Sequence, residues 1–236
     1  VRATDAALKR LKTDHVDLLQ LHNIRMDQVY DDALWTTIEK LKAIGKVRYY
    51  GIALGPAIGW LYEGVNSIRE RDITSLQHIY NTLEQHPGRA MHDAATEFGK
   101  DTMFLIRVTH SSGMLEGKYT SDTVFLPTDH RSHRPRSWLL NGVKKIDKLR
   151  FLENSERTLG QAALLWLLAD DRVASTLPNI YKEEQLIEFA KTPECPPLTS
   201  DDLAKIDNLY SQNFGLEPEE PKFKGTMELP KETVPA

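Results

Sequence analysis

Apolar and polar positions alternate in blocks along the chain, and the block lengths switch between those of strands and those of helices. Residues 8–23 read LKRLKTDHVDLLQLHN, a helix end and a short turn leading into the apolar run Val16–Leu21, which stops on His22. Nearly continuous apolar runs of this length predict strands covered on both faces. Further strands are expected at Lys46–Ala53, Thr74–Ile79, Met103–Val108 and Val173–Leu177. Helical spacing separates them. Leu34, Ile38 and Leu41 share a stripe, with Asp31 as N-cap and Gly45 as the stop. Leu61, Val65 and Ile68 form a second stripe. Other helices are expected at 4–11, 88–99, 138–152, 158–168, 183–189 and 201–210, with a long polar loop over 110–137.

Regular alternation of strand and helix predicts an α/β fold built on a parallel sheet. A histidine delivered by the C-terminal tip of such a strand is placed where β/α barrels present reactive side chains. A closed barrel has eight strand–helix units over about 250 residues. Five are counted here, so the expectation is an incomplete barrel. Residues 1–215 read as the barrel domain and 216–236 as a Pro-rich charged tail that wraps the surface or stays disordered.

Composition narrows the function classes. The 236 residues are 40% apolar and 27% charged, as in ordinary globular proteins. Thirty basic against 34 acidic residues leave a net charge of −4, which argues against nucleic acid as a partner. No apolar run approaches the roughly 20 residues that span a bilayer, so no membrane role is expected. The single cysteine, Cys195, cannot form an internal disulfide and fits a reducing cytoplasm. His130 and His133 are three apart but crowded by Arg131, Arg134 and Arg136, so no metal site is expected. The dinucleotide signature G-x-G-x-x-G and the P-loop signature are both absent.

The wording of several segments resembles the aldo-keto reductases. LKRLKTDHVDLLQLHN is similar to that family's fourth strand. IEKLKAIGKVRYYGIA, LQHIYNTLEQ, SSGMLEGKYT, RTLGQAALLWLL and ASTLPNIYKEEQL follow in the family's order. The resemblance covers about residues 2–215 and implies a TIM-barrel fold of which strands four to eight are present. It implies an oxidoreductase that transfers hydride between NADP (or NAD) and a small aldehyde or ketone. His22 then matches the histidine of an Asp-Tyr-Lys-His tetrad, set to polarise the substrate carbonyl. The tetrad's other members would precede residue 1, so catalysis is expected of a full-length parent and this chain is expected to be inactive alone. The alternative is a non-catalytic, nicotinamide-binding regulatory protein of the same family. An isolated partial barrel would also expose sheet edges, so a stable monomer is not expected.

The resemblance assigns further residues to cofactor binding. Gln77 matches a glutamine that holds the nicotinamide carboxamide, and an amide suits that task because it both donates and accepts. Arg107 stands where an aromatic ring commonly stacks under the nicotinamide, and a guanidinium plane also stacks. Ser111 lies just past the same strand, where backbone can approach phosphate. Asn179, Ile180, Lys182 and Gln185 fall at the adenosine end, with Lys182 as phosphate ligand, and Glu188 matches an acidic residue facing the adenine. One departure is plain: Ala53 and Leu54 replace a frequent Ser-Asn pair, so no side-chain hydrogen bond to the carboxamide comes from there.

Overall fold

The computed structural model describes residues 1–219 and 222–229. Five strands lie in one open sheet in the order β1 (Val16–His22), β2 (Val47–Ala53), β3 (Ser75–Ile79), β4 (Met103–Arg107) and β5 (Val173–Leu177). β1 pairs parallel with β2, and β2 with β3. The helices are α1 (Arg2–Leu11), α2 (Met26–Val29), α3 (Asp32–Ala43), α4 (Leu61–Glu70), α5 (Gly88–Glu97), α6 (Arg136–Leu149), α7 (Leu159–Leu168), α8 (Glu183–Ala190) and α9 (Ser200–Ser211). The α/β alternation expected from the sequence is present, and strand and helix ends shift by a residue or two. The segment expected as one helix over 138–152 is α6 followed by a 3-10 turn, Arg150–Leu152.

The chain folds as two compact units. The first comprises Val1–His78, His86–Leu105 and the described residues from Lys222 onward. Trp35, Ile38, Leu41, Ile52, Ile68, Leu76, Met91 and Phe104 are buried there. Asp31 caps α3 as expected, its carboxylate accepting from Ala33 N (3.0 Å) and Leu34 N (3.2 Å). The second unit comprises Ile79–Gln85 and the chain from Ile106 to Glu219. Its buried residues include Met114, Leu115, Leu139, Leu149, Leu159, Ala163, Ile206 and Phe214. Thr158 begins α7 with a reciprocal capping box to Gln161, as S/T-x-x-E/Q sequences do.

Three expectations are corrected. β1 is not a strand buried on both faces: its residues are half-buried or exposed, because it has a sheet neighbour on one side only among the described residues. The buried side of α4 is polar. Glu63, Asn66 and Ser67 are buried with Ile68, while Leu61 and Val65 are only half-buried. The first part of the 110–137 loop is interior structure, since Thr109 through Leu115 are all buried. The tail residues 220–221 and 230–236 lie outside the described residues. Described residues Phe223–Thr226 pack on the loop before α4 and its first turn.

Candidate functional site

In the first unit, the sheet register builds a row of side chains at the C-terminal ends of the strands. His22 is the register partner of Ala53, and Ala53 of Gln77. Parallel partners point to the same face, so an exposed imidazole, a methyl and a half-buried carboxamide line up across three strands. The next row inward is Gln20, Gly51 and Ser75. A Cβ on Gly51 would sit 2.1 Å from the Ser75 carbonyl oxygen, so the strands approach here only because this residue is glycine. Gln20 Nε2 reaches over it to Ile52 O (3.2 Å) and Ser75 Oγ (3.4 Å), and Gln77 Nε2 donates to Gln20 Oε1 at 3.4 Å. This amide chain fixes Gln77 and leaves its own carbonyl oxygen to accept.

Past His22 the chain turns sharply. Asn23 takes left-handed backbone (φ 56°) and donates its N–H to Ala53 O at 2.8 Å. Asn23 Oδ1 is buried with no hydrogen-bond partner among the described residues. An orphaned buried acceptor beside an exposed histidine is a place where a bound group's donor would be satisfied.

In the second unit, a strained loop follows β4. Val108, Ser111, Ser112 and Gly113 all have positive φ, at 57°, 46°, 57° and 90°. For a β-branched valine this is an outlier that the surroundings must enforce. They do so through Asn81 and Glu84. Asn81 is fully buried; its Nδ2 donates to Val108 O (3.0 Å) and Glu84 Oε2 (2.8 Å). Ser111 Oγ donates to the same Glu84 oxygen at 2.9 Å. Arg134 Nη2 donates to Ser112 Oγ at 3.2 Å, with its guanidinium over the Trp138 ring. Successive residues of left-handed backbone form concavities of N–H groups that suit anions.

The other predicted residues of this unit fall as follows. Arg107 ends β4 half-buried, and burial lowers its pKa from the ordinary arginine value. Asn179 is half-buried, and Ile180 and Lys182 are exposed before α8. Gln185 accepts from Tyr181 N (2.8 Å) and Lys182 N (3.2 Å) and donates to Glu116 at 2.9 and 3.0 Å, so it caps its own helix. Glu188 Oε1 accepts from Thr158 Oγ1 at 2.6 Å, and its other oxygen lies 3.7 Å from Lys118 Nζ. Arg131 is held by Asp129 and Tyr119, and Arg136 by the Ser121 and Thr123 carbonyls. These two arginines fold their own loop. Among the described residues no group of three or more His, Cys, Asp or Glu is placed to hold a metal, and no helix is long and apolar enough to cross a membrane.

The structure therefore brings His22 and Gln77 together in one row and sets Ser111 in a left-handed loop after β4. Asn81 and Glu84 were missed as its supports. Their only signal was the quoted LQHIYNTLEQ wording, because contacts between residues 81–84 and 108–111 depend on tertiary folding.

The family model described as "Aldo/keto reductase family" matches residues 1–211. The uncharacterized oxidoreductase YrpG of Bacillus subtilis (strain 168) is 27% identical over 222 residues, which cover 92% of this chain and 65% of that protein. L-glyceraldehyde 3-phosphate reductase of Escherichia coli (strain K12) is 27% identical over 216 residues, covering 86% and 60%. A probable voltage-gated potassium channel subunit beta of Arabidopsis thaliana is 27% identical over 218 residues, covering 84% and 62%. The chain thus spans 65% or less of the length of these curated relatives. Among solved structures, the apo form of aldo-keto reductase AKR11C1 from Bacillus halodurans superposes with a TM-score of 0.67 at 26% identity, over 88% of this chain and 66% of that one.

Proposed function

The chain belongs to the aldo/keto reductase family, and from that footing we propose that the whole protein is an NAD(P)-dependent oxidoreductase acting on a small aldehyde or ketone. The observation that carries this reading is the row His22–Ala53–Gln77 at the C-terminal strand ends. That end is where β/α folds hold their ligands.

The residues present fit a nicotinamide cofactor. The free Gln77 carbonyl oxygen accepts from a carboxamide, and the orphaned Asn23 Oδ1 offers a second acceptor. In the second unit, the backbone N–H groups of Ser112 and Gly113, supported by Arg134, suit phosphate, as does the exposed Lys182. NADP is our choice over NAD because of that lysine. Asn179, Ile180 and Arg107 are kept in this reading as further cofactor contacts. Gln185 and Glu188 act there through their neighbours, since both are occupied by protein groups. When bound, the cofactor supplies a hydride.

His22 does the complementary work on the oxygen side. As an exposed imidazole at a strand tip, it donates a hydrogen bond to a carbonyl oxygen and stabilises charge that grows there as the carbon is reduced. We place the protein in the cytoplasm, where its free Cys195 stays reduced.

A regulatory, non-catalytic reading is favoured by Ala53 and Leu54 in place of carboxamide-holding side chains and by the similarity to potassium channel β subunits. One experiment separates the two. The protein is titrated with NADPH by nicotinamide fluorescence, then assayed for NADPH oxidation across short aldehydes and ketones. Binding with turnover supports the oxidoreductase. Micromolar binding without turnover of any carbonyl supports the regulatory form. Absence of nicotinamide binding overturns both.

A further inference from the structure

The loops after β1 and β2 put a cation over an indole. Arg25 is the N-cap of α2, three residues beyond His22, and its guanidinium lies 4.3 Å above the Trp60 ring. Trp60 is 4% exposed and enters α4 from left-handed backbone (φ 65°). The ring cannot move freely. Its Nε1 donates to Ala57 O at 3.2 Å, and its backbone N donates to Lys224 O at 2.7 Å. Gly225 lies so close that a Cβ there would meet the ring at 2.6 Å.

The segment that carries Gly225 against this ring is itself bound down on both sides. Lys224 N donates to Ile58 O (3.0 Å) and Tyr62 N to Thr226 O (3.1 Å). The Glu63 carboxylate, 2% exposed, accepts from Thr226 N at 3.0 and 3.1 Å and from its hydroxyl at 2.8 Å. That carboxylate is thereby buried and committed to Thr226. Arg25 is exposed, and among the described residues its guanidinium has no hydrogen bond or ion pair.

A guanidinium held over a fixed ring has less freedom left to lose when it binds, and its planar fork matches a phosphate bidentately. Both loops leave the C-terminal ends of adjacent parallel strands, the same ends that carry His22 and Ala53. Resting on the oxidoreductase reading above, we propose that Arg25 anchors a phosphate group on the carbonyl substrate, so that the preferred substrates are phosphorylated aldehydes or ketones.

The test has a binding arm and a turnover arm. Glycerol 3-phosphate and glycerol are titrated by calorimetry into the wild type, Arg25→Gln, Arg25→Lys and, as a control in α1, Lys9→Gln. Saturable binding of glycerol 3-phosphate but not glycerol is expected. It should weaken at least about tenfold in Arg25→Gln, partly recover in Arg25→Lys and stay unchanged in Lys9→Gln. No saturable binding, or equal affinity in wild type and Arg25→Gln, overturns the proposal. In the turnover arm, kcat/KM for glycolaldehyde phosphate should exceed that for glycolaldehyde, and Arg25→Gln should shrink the ratio of the two at least about tenfold while Lys9→Gln leaves it unchanged. Equal loss on both aldehydes overturns it. Arg25-dependent binding with turnover of neither aldehyde supports the anchor and overturns the oxidoreductase reading instead.

Discussion

His22 and Gln77 stand in one row of the sheet with only the methyl of Ala53 between them. The two side chains therefore face the same space with different duties. Gln77 is fixed from behind by Gln20, whereas His22 is free at the strand tip. Replacing Gln77 with Leu should weaken NADPH binding about tenfold, the worth of one well-made hydrogen bond at a site without water to replace it. Replacing His22 with Ala should leave that affinity unchanged and lower kcat about 10²–10⁴-fold, the usual range for a positioned acid–base group. Fluorescence titration and steady-state kinetics check the split. Parallel losses of cofactor affinity in both variants would break the division of roles.

One row inward, Gly51 is required by backbone rather than by side chains. A Cβ there would meet Ser75 O at 2.1 Å and Ser75 Oγ at 2.2 Å. Gly51→Ala should destabilise the fold by at least about 1–3 kcal/mol, as overpacked interiors do. Adding Ser75→Ala should not restore the loss, because the carbonyl oxygen remains in place. Urea unfolding of the single and double variants measures this, and a full rescue by Ser75→Ala would show the clash to be with the hydroxyl alone.

The β/α alternation was legible in the sequence because burial writes itself as local periodicity, and Asp31 shows that a cap is legible too. What was not legible depends on neighbours distant in sequence. The run Val16–Leu21 reads as a fully buried strand, yet its exposure is set by whether a partner lies on each side. The stripe Leu61–Val65–Ile68 reads as the inner face of α4, but Glu63 is turned inward by Thr226, 163 residues away. The left-handed backbone of Val108 has no local signal at all, since valine disfavours it and only Asn81 reveals why it persists. Within the candidate site, His22 was visible as the end of a pattern. The Arg25–Trp60 stack was invisible until the two loops were placed side by side.

Glu84 collects two bonds, from Asn81 Nδ2 and Ser111 Oγ, at the base of the strained loop. Its replacement by Ala would leave both donors short of an acceptor in a largely buried setting. Each such orphan costs about 1–3 kcal/mol, and the positive-φ residues would lose part of what enforces them. Glu84→Ala should therefore lower stability by about 2–6 kcal/mol and increase hydrogen exchange over residues 108–115. Exchange unchanged in that segment would mean that the loop holds its shape without the carboxylate.

His110 should give the second unit a measurable acid dependence. The ring is 2% exposed, donates from Nε2 to Gly160 O at 3.0 Å, and stacks on Phe189 with ring centres 4.5 Å apart. Burial pulls its pKa below the ordinary histidine value, opposed by the Gly160 bond and by Glu116 and Glu188. The folded state thus favours the neutral ring, while the unfolded chain takes up a proton near pH 6.5. The stabilisation is fully present above that pH and is lost as pH falls toward the lower folded value. The expected slope is up to about 1.4 kcal/mol per pH unit for one proton. Urea unfolding at pH 7, 6 and 5 should show stability falling faster in the wild type than in His110→Phe, which keeps the stack on Phe189 but cannot titrate. His110→Phe should also be less stable at pH 7, because the Gly160 carbonyl loses its donor. Parallel pH profiles for the two proteins would show that His110 titrates alike in the folded and unfolded chain.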